Sequence, residues 1–101
     1  MNIVQIKKMM QEAQKMQGNI EKEQKKLEKK EYTKTLGGDA IKIIMLGTKK
    51  IKTIEIKPEI LEPEEQEFIQ EMIMDGINSL IDEIEQEFEE KIGSLTKGLP
   101  F

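Results

Sequence analysis

Residues 32–58, YTKTLGGDAIKIIMLGTKKIKTIEIKP, decide the fold. Tyr32 to Leu36 alternates and is β-prone, and Gly37-Gly38-Asp39 then supplies turn residues. Ala40 to Leu46 is apolar enough for a central strand, Gly47-Thr48-Lys49-Lys50 forms a second turn, and Ile51 to Lys57 makes a third strand with Ile54 and Ile56 on one face. Pro58 ends that strand because proline has no N–H to donate to a ladder. Three short strands joined by tight turns make an antiparallel meander. Its apolar face and open edges must be covered by a helix or by a second protomer. Ile41, Ile43, Met45, Ile54 and Ile56 are therefore expected to form the packed surface of the sheet and, together with the helix seams, the interface of a homodimer.

Upstream of the meander, Ile3 to about Glu31 contains no proline and a single glycine, Gly18. Ile3, Ile6, Met10, Ala13, Ile20 and Leu27 occupy heptad a and d positions, with Gln17 and Gln24 in two of the a slots, so the segment reads as one long helix. Downstream, Pro63 opens a second long helix in which Phe68, Ile69, Met72, Ile73, Ile77, Leu80, Ile81, Ile84, Phe88 and Ile92 keep helical spacing. Glu64, Glu65 and Glu67 suit its N-terminus through the macrodipole, and Gly93 is expected to end or kink it, leaving 94–101 as a short tail. The expected architecture is α+β over 1–101 as one domain: a long N-terminal helix (3–31), a three-stranded antiparallel meander (32–57) and a long C-terminal helix (63–93). Most methionines, including Met9, Met10, Met16, Met45, Met72 and Met74, fall on apolar stripes and are expected to pack in the core rather than to form an adaptable binding surface.

With 101 residues the chain can build only a modest core, and oligomerisation is a natural way to gain buried area. It has no cysteine, so disulfides and thiolate metal sites are excluded. The N-terminus lacks a signal-like apolar region and no run of about 18 apolar residues exists, so neither export nor membrane insertion is expected.

Charge is distributed very unevenly. Every cation is a lysine: residues 1–57 carry 14 against 7 acids, whereas residues 58–101 carry 2 against 13, giving halves of +7 and −11 and the net −4. Within the heptad frame of the first helix, Lys8, Lys15, Lys22 and Lys29 all fall at position f, opposite the apolar seam, and Lys7, Lys25, Lys26 and Lys30 broaden the stripe. At about 1.5 Å per residue, Lys8 and Lys29 lie about 32 Å apart, close to the roughly 34 Å of one duplex turn. Three readings compete. The lysines could only solvate an outer face, they could be neutralised by the acidic second helix, or they could contact the phosphates of duplex DNA. Without arginine, DNA contacts would favour phosphates over base reading, and Tyr32 alone lies near the lysines to stack an unpaired base.

Catalysis has little to build on, since histidine and cysteine are both missing. The acids of the second helix sit on its solvent side, and no loop has EF-hand spacing. Gly37-Gly38-Asp39 is a turn rather than a phosphate cradle, because no helix follows it to aim an N-terminus at an anion. No reaction, metal, cofactor or small-molecule substrate is expected.

The order of these words resembles the YbaB/EbfC family of bacterial nucleoid-associated proteins across nearly the whole chain. Met9-Met-Gln-Glu-Ala-Gln-Lys-Met-Gln17 resembles its first helix; Gly37-Gly38, Ile43, Gly47 and Ile54-Glu55-Ile56-Lys57-Pro58 with Leu61 resemble its meander; Ile77-Asn78 and Gly93-Ser94-Leu95-Thr96-Lys97-Gly98 resemble its closing segment. The resemblance implies a homodimer formed through the central sheets, long helices projecting as tweezer-like arms, and duplex DNA binding in the cytoplasm at the nucleoid. Met74-Asp75-Gly76 stands where the family often has alanine-like residues, and arginine contacts made elsewhere in the family have no counterpart here. The DNA-contacting set is then Lys7, Lys8, Lys15, Lys22, Lys25, Lys26 and Lys29. The alternative is a protein-interaction dimer that works through its acidic second helix, with no direct DNA role.

Overall fold

The computed structural model describes residues 2–97, in the order α1 (Ile3–Lys29), β1 (Glu31–Leu36), β2 (Ile41–Leu46), β3 (Ile51–Ile56) and α2 (Gln66–Thr96). Single 3-10 turns at Pro58–Ile60 and Pro63–Glu65 lead into α2. The strands form one antiparallel sheet in the order β1-β2-β3, with Tyr32 opposite Met45, Lys34 opposite Ile43, and Ile43 opposite Ile54. A bulge between Ile44 and Met45 sets Met45 opposite Ile51. The turn Gly37-Gly38-Asp39 places three consecutive residues at positive φ, which two glycines and an aspartate tolerate.

α1 starts where the sequence provides a full capping box. The Gln5 N–H donates to Asn2 Oδ1 at 2.8 Å, and the Asn2 N–H donates to Gln5 Oε1 at 3.3 Å.

The core lies between α2 and one face of the sheet: Ile41, Ile43 and Met45 on β2 meet Leu80 and Ile84 on α2, with Tyr32 and Ala40 beside them. Gly76 allows this close approach. A Cβ there would stand 2.7 Å from Leu36 Cδ1 and 2.8 Å from Ile43 Cδ1, tighter than side chains tolerate. α2 runs over β1 and β2 and leaves β3 largely uncovered, so Ile51 and Ile54 remain 43% and 40% exposed.

α1 returns antiparallel along the second half of α2. Leu27 is buried and Met16, Ile20 and Glu23 are half-buried, while Phe88, Ile92 and Leu95 of α2 are half-buried in turn. The turn after β2 fixes this junction: Gly47 N–H donates to Lys30 O at 3.0 Å, and a Cβ at Gly47 would fall on the Leu27 carbonyl. Residues 2–15 reach past the last turn of α2 and are all exposed. The molecule is correspondingly long, 74 × 19 × 16 Å.

Two expectations need correction. α2 does not stop at Gly93; it continues to Thr96, with Ile92 and Leu95 half-buried on either side of the glycine and Thr96 Oγ1 donating to Gly93 O at 3.0 Å. Residues 98–101 of the expected tail lie outside the described residues. Met9, Met10 and Met74 are not core residues but are 46%, 58% and 56% exposed. Met9 and Met10 lie on the part of α1 that α2 does not reach, and among the described methionines only Met45 is fully covered while Met16 and Met72 are half-buried.

Candidate nucleic-acid interface

The heptad frame puts the lysines of α1 on its outer side, and the structure leaves them there. Lys7, Lys8, Lys15, Lys22, Lys25, Lys26 and Lys29 are all exposed, and among the described residues none is in an ion pair. Four other lysines are paired: Lys30 with Glu87 at 2.6 Å, Lys34 with Glu83 at 3.5 Å, Lys49 with Glu85 at 2.7 Å and Lys52 with Glu31 at 2.9 Å. The acids of α2 therefore engage lysines at the C-cap of α1, on β1 and in the second turn. They form no ion pair with the f-position lysines, although Lys26 and Lys29 line the same hollow as Glu87 and Lys91 of α2. The seven lysines extend over most of the 27-residue helix and outnumber its four acids, of which Glu12 and Glu21 are exposed beside them.

Lys30 is held differently from its neighbours. Its ammonium sits 5.0 Å from the centre of the Tyr32 ring as well as against Glu87. The hydrogen bond to Glu87 raises its pKa above the ordinary lysine value, against a smaller opposing effect of burial. Burial raises the Tyr32 phenol above the ordinary tyrosine value, with the Glu87 charge adding to it. Tyr32 is thus the anchor of the helix junction, 7% exposed, rather than a stacking platform for a base.

The five residues expected at a dimer interface separate into two groups. Ile41, Ile43 and Met45 are at most 1% exposed within one protomer, so they are the sheet's packed surface beneath α2. Ile54 is exposed and Ile56 half-buried, because α2 stops short of β3. Sequence reasoning did not single out Ile51, Leu61 and Phe68 as exposed apolar residues. The signal was present in β3, whose apolar residues outnumber what one crossing helix can cover. The two contact glycines, Gly47 and Gly76, were read only as punctuation or as a departure from the family pattern.

Among the described residues no helix is long and apolar enough to cross a membrane. The family model described as the YbaB/EbfC DNA-binding family matches residues 1–99. The chain is 44% identical over 85 residues to the nucleoid-associated protein MARTH_orf159 of Metamycoplasma arthritidis, covering 84% of this chain and 87% of that one. It is 31% identical over 99 residues to the nucleoid-associated protein LL0120 of Lactococcus lactis, covering 98% and 100% respectively. The crystal structure of the uncharacterized protein HP0035 from Helicobacter pylori superposes with a TM-score of 0.72 at 17% identity, over 94% of this chain and 97% of that one, a likeness of fold. A family match over almost the entire length, relatives of the same extent and a shared helix–meander–helix fold agree with the motif order read from the residues, and the chain belongs to the YbaB/EbfC family.

Proposed function

We propose that this protein is a nucleoid-associated protein that binds duplex DNA as a homodimer, through lysine contacts to phosphates from the outer face of α1 and with little sequence specificity. The observation that carries this reading is the uncompensated stripe. Seven lysines on one helix face have no acidic partner among the described residues, although the chain as a whole is acidic. The intramolecular ion pairs engage other lysines, and α1 keeps an excess of cations over its four acids. Counterion release from phosphate is the gain that such an excess of cations offers. The family description and the names of the relatives support the same partner.

Dimerisation would double the stripe and cover the exposed isoleucines of β3, with Ile41, Ile43 and Met45 as the firm layer behind them. A preference for particular sequences is not expected from lysines on a helix exterior, because they address the backbone rather than base edges. No catalytic step is part of this reading.

Fluorescence anisotropy with a random-sequence duplex at several salt concentrations tests it. Log K should fall linearly with log salt, with a slope of about −0.9 per phosphate neutralised. Absence of binding even at low salt would transfer the role to the acidic face of α2 and a protein partner.

A further inference from the structure

The inner end of the lysine stripe runs into α2. Around one hollow at this junction lie Lys26 and Lys29 of α1, its C-cap Lys30, and Lys91 of α2, with Glu23 and Glu87 as the acids between them. Lys26, Lys29 and Lys91 make no ion pair among the described residues, whereas Lys30 is committed. Its ammonium lies 2.6 Å from the Glu87 carboxylate and 5.0 Å from the centre of the Tyr32 ring.

This pair differs from the other three. It has the shortest separation, and the Glu87 side chain is 23% exposed where the acids of the other pairs are 45–57% exposed. A partly covered pair is screened less by water and salt than an open one, and the tyrosine ring holds the ammonium from a second side. Lys30 is therefore the paired lysine that gives up its partner least readily, and it is the one that directly follows the stripe.

A carboxylate and a phosphate offer an ammonium the same thing, an anionic oxygen that accepts a charge-assisted hydrogen bond. We infer, resting on the DNA reading of α1, that Glu87 takes the place of a backbone phosphate at the inner end of the stripe, withholds Lys30 from DNA and thereby limits affinity. Glu87 is then a positioning residue, acting through Lys30 and touching no DNA. The contacting set ends at Lys29 although the lysines continue beyond it. The same carboxylate ties α1 to α2, so a firm junction and a longer phosphate-binding surface are alternatives at this position.

Fluorescence anisotropy with a random-sequence duplex at several salt concentrations compares the full chain with Glu87→Gln, Lys30→Gln, the double variant and Glu90→Gln. Glu87→Gln keeps the shape of the side chain and removes its charge. Glu90→Gln removes the same charge from an exposed acid that makes no ion pair among the described residues, and so reads the effect of net charge alone. Glu87→Gln is expected to raise the magnitude of the salt slope by about 0.9 per protomer that engages the duplex, and affinity about fivefold at about 0.1 M salt. Lys30→Gln should leave the slope of the parent unchanged but abolish the gain in the Glu87→Gln background. Glu90→Gln should leave the slope unchanged. Loosening of the junction would lower the melting temperature, followed by far-UV circular dichroism, without steepening the slope, so the slope separates positioning from a purely structural role. An unchanged slope in Glu87→Gln would overturn the proposal, as would a gain that survives Lys30→Gln or appears equally in Glu90→Gln. A smaller slope in Lys30→Gln alone would show Lys30 already on the DNA, and would overturn it without recourse to Glu87→Gln. A parent chain that binds no duplex at any salt would overturn the DNA reading itself, an outcome distinct from all of these.

Discussion

α1 has 27 residues and one buried side chain, Leu27, whereas α2 has 31 residues and buries Gly76, Leu80 and Ile84 against the sheet. Both have an apolar stripe and both are heavily charged, yet they are used differently. α2 crosses the meander and its acids settle on nearby lysines, so its sequence is constrained on two sides. α1 touches the body only through its second half and presents the rest to the surroundings. Stability is therefore concentrated in α2 and the sheet, and the accessible charge and apolar seam are concentrated in α1. Separating the two lets a surface for partners vary without loss of the core.

Truncation distinguishes the helices most sharply. Leu80→Ala removes a fully covered side chain from the layer between α2 and β2 and is expected to cost about 2–5 kcal/mol in urea denaturation. Met10→Ala removes a side chain that is 58% exposed and should remain within about 0.5 kcal/mol of the parent. Equal losses would show that the arm of α1 is packed in solution as firmly as the core, which would break the comparison. Gly76→Val is next in size. Its branched side chain would meet Leu36 and Ile43 where even a Cβ is too close, and lifting α2 from the sheet should cost about 1–3 kcal/mol.

The same comparison predicts where DNA affinity resides. Changing Lys8, Lys15 and Lys22 together to Gln should reduce the magnitude of the salt slope by about 2.7, three contacts at about 0.9 each. Melting should hardly change, since none of the three is in an ion pair among the described residues. Changing Lys30, Lys34 and Lys49 to Gln should do the reverse, leaving the slope nearly intact while removing up to about 1 kcal/mol per exposed pair. An unaltered slope in the first variant would remove α1 from the binding surface.

These predictions draw on features of unequal legibility. The order of elements was open to reading because each rests on local periodicity: a heptad from Ile3 to Leu27, alternation in β1 and β3, turn residues at Gly37 and Gly47. The unpaired state of the f-position lysines also followed from the frame, since f faces away from any seam partner. What periodicity could not supply was lateral placement. That α2 covers β1 and β2 and not β3 depends on where Gly76 lets it touch, and that contact is between residues 33 or more positions apart in sequence. Gly93 misled because glycine is a good helix stop in isolation, while Ile92 and Leu95 packing on α1 outweighs its preference, as tertiary contacts commonly do. Met9 and Met10 misled for the opposite reason: their spacing is that of a packed seam, and only the relative lengths and offsets of two helices reveal that, among the described residues, they stay exposed.

The smallest effect tests the junction where the two regions meet. Tyr32 and Lys30 both have raised pKa values in the folded chain, Tyr32 through burial and Lys30 through its hydrogen bond to Glu87. A raised value means that the folded state holds its proton more tightly than the unfolded one. The stabilisation is then fully present below the unfolded values, near 10, and is lost as pH rises through the folded values. Stability should not vary with these groups around neutrality and should decline in alkali above about pH 10. The chain has one tyrosine and no tryptophan, so phenolate absorbance reads Tyr32 alone. Its midpoint should lie higher in the native protein than in concentrated urea, and Glu87→Gln should move the native midpoint downward by removing a neighbouring negative charge that opposes ionisation. A native midpoint equal to that in urea would mean that Tyr32 is open to solvent, and that the end of α1 does not close over the sheet as firmly as the Gly47–Lys30 hydrogen bond requires.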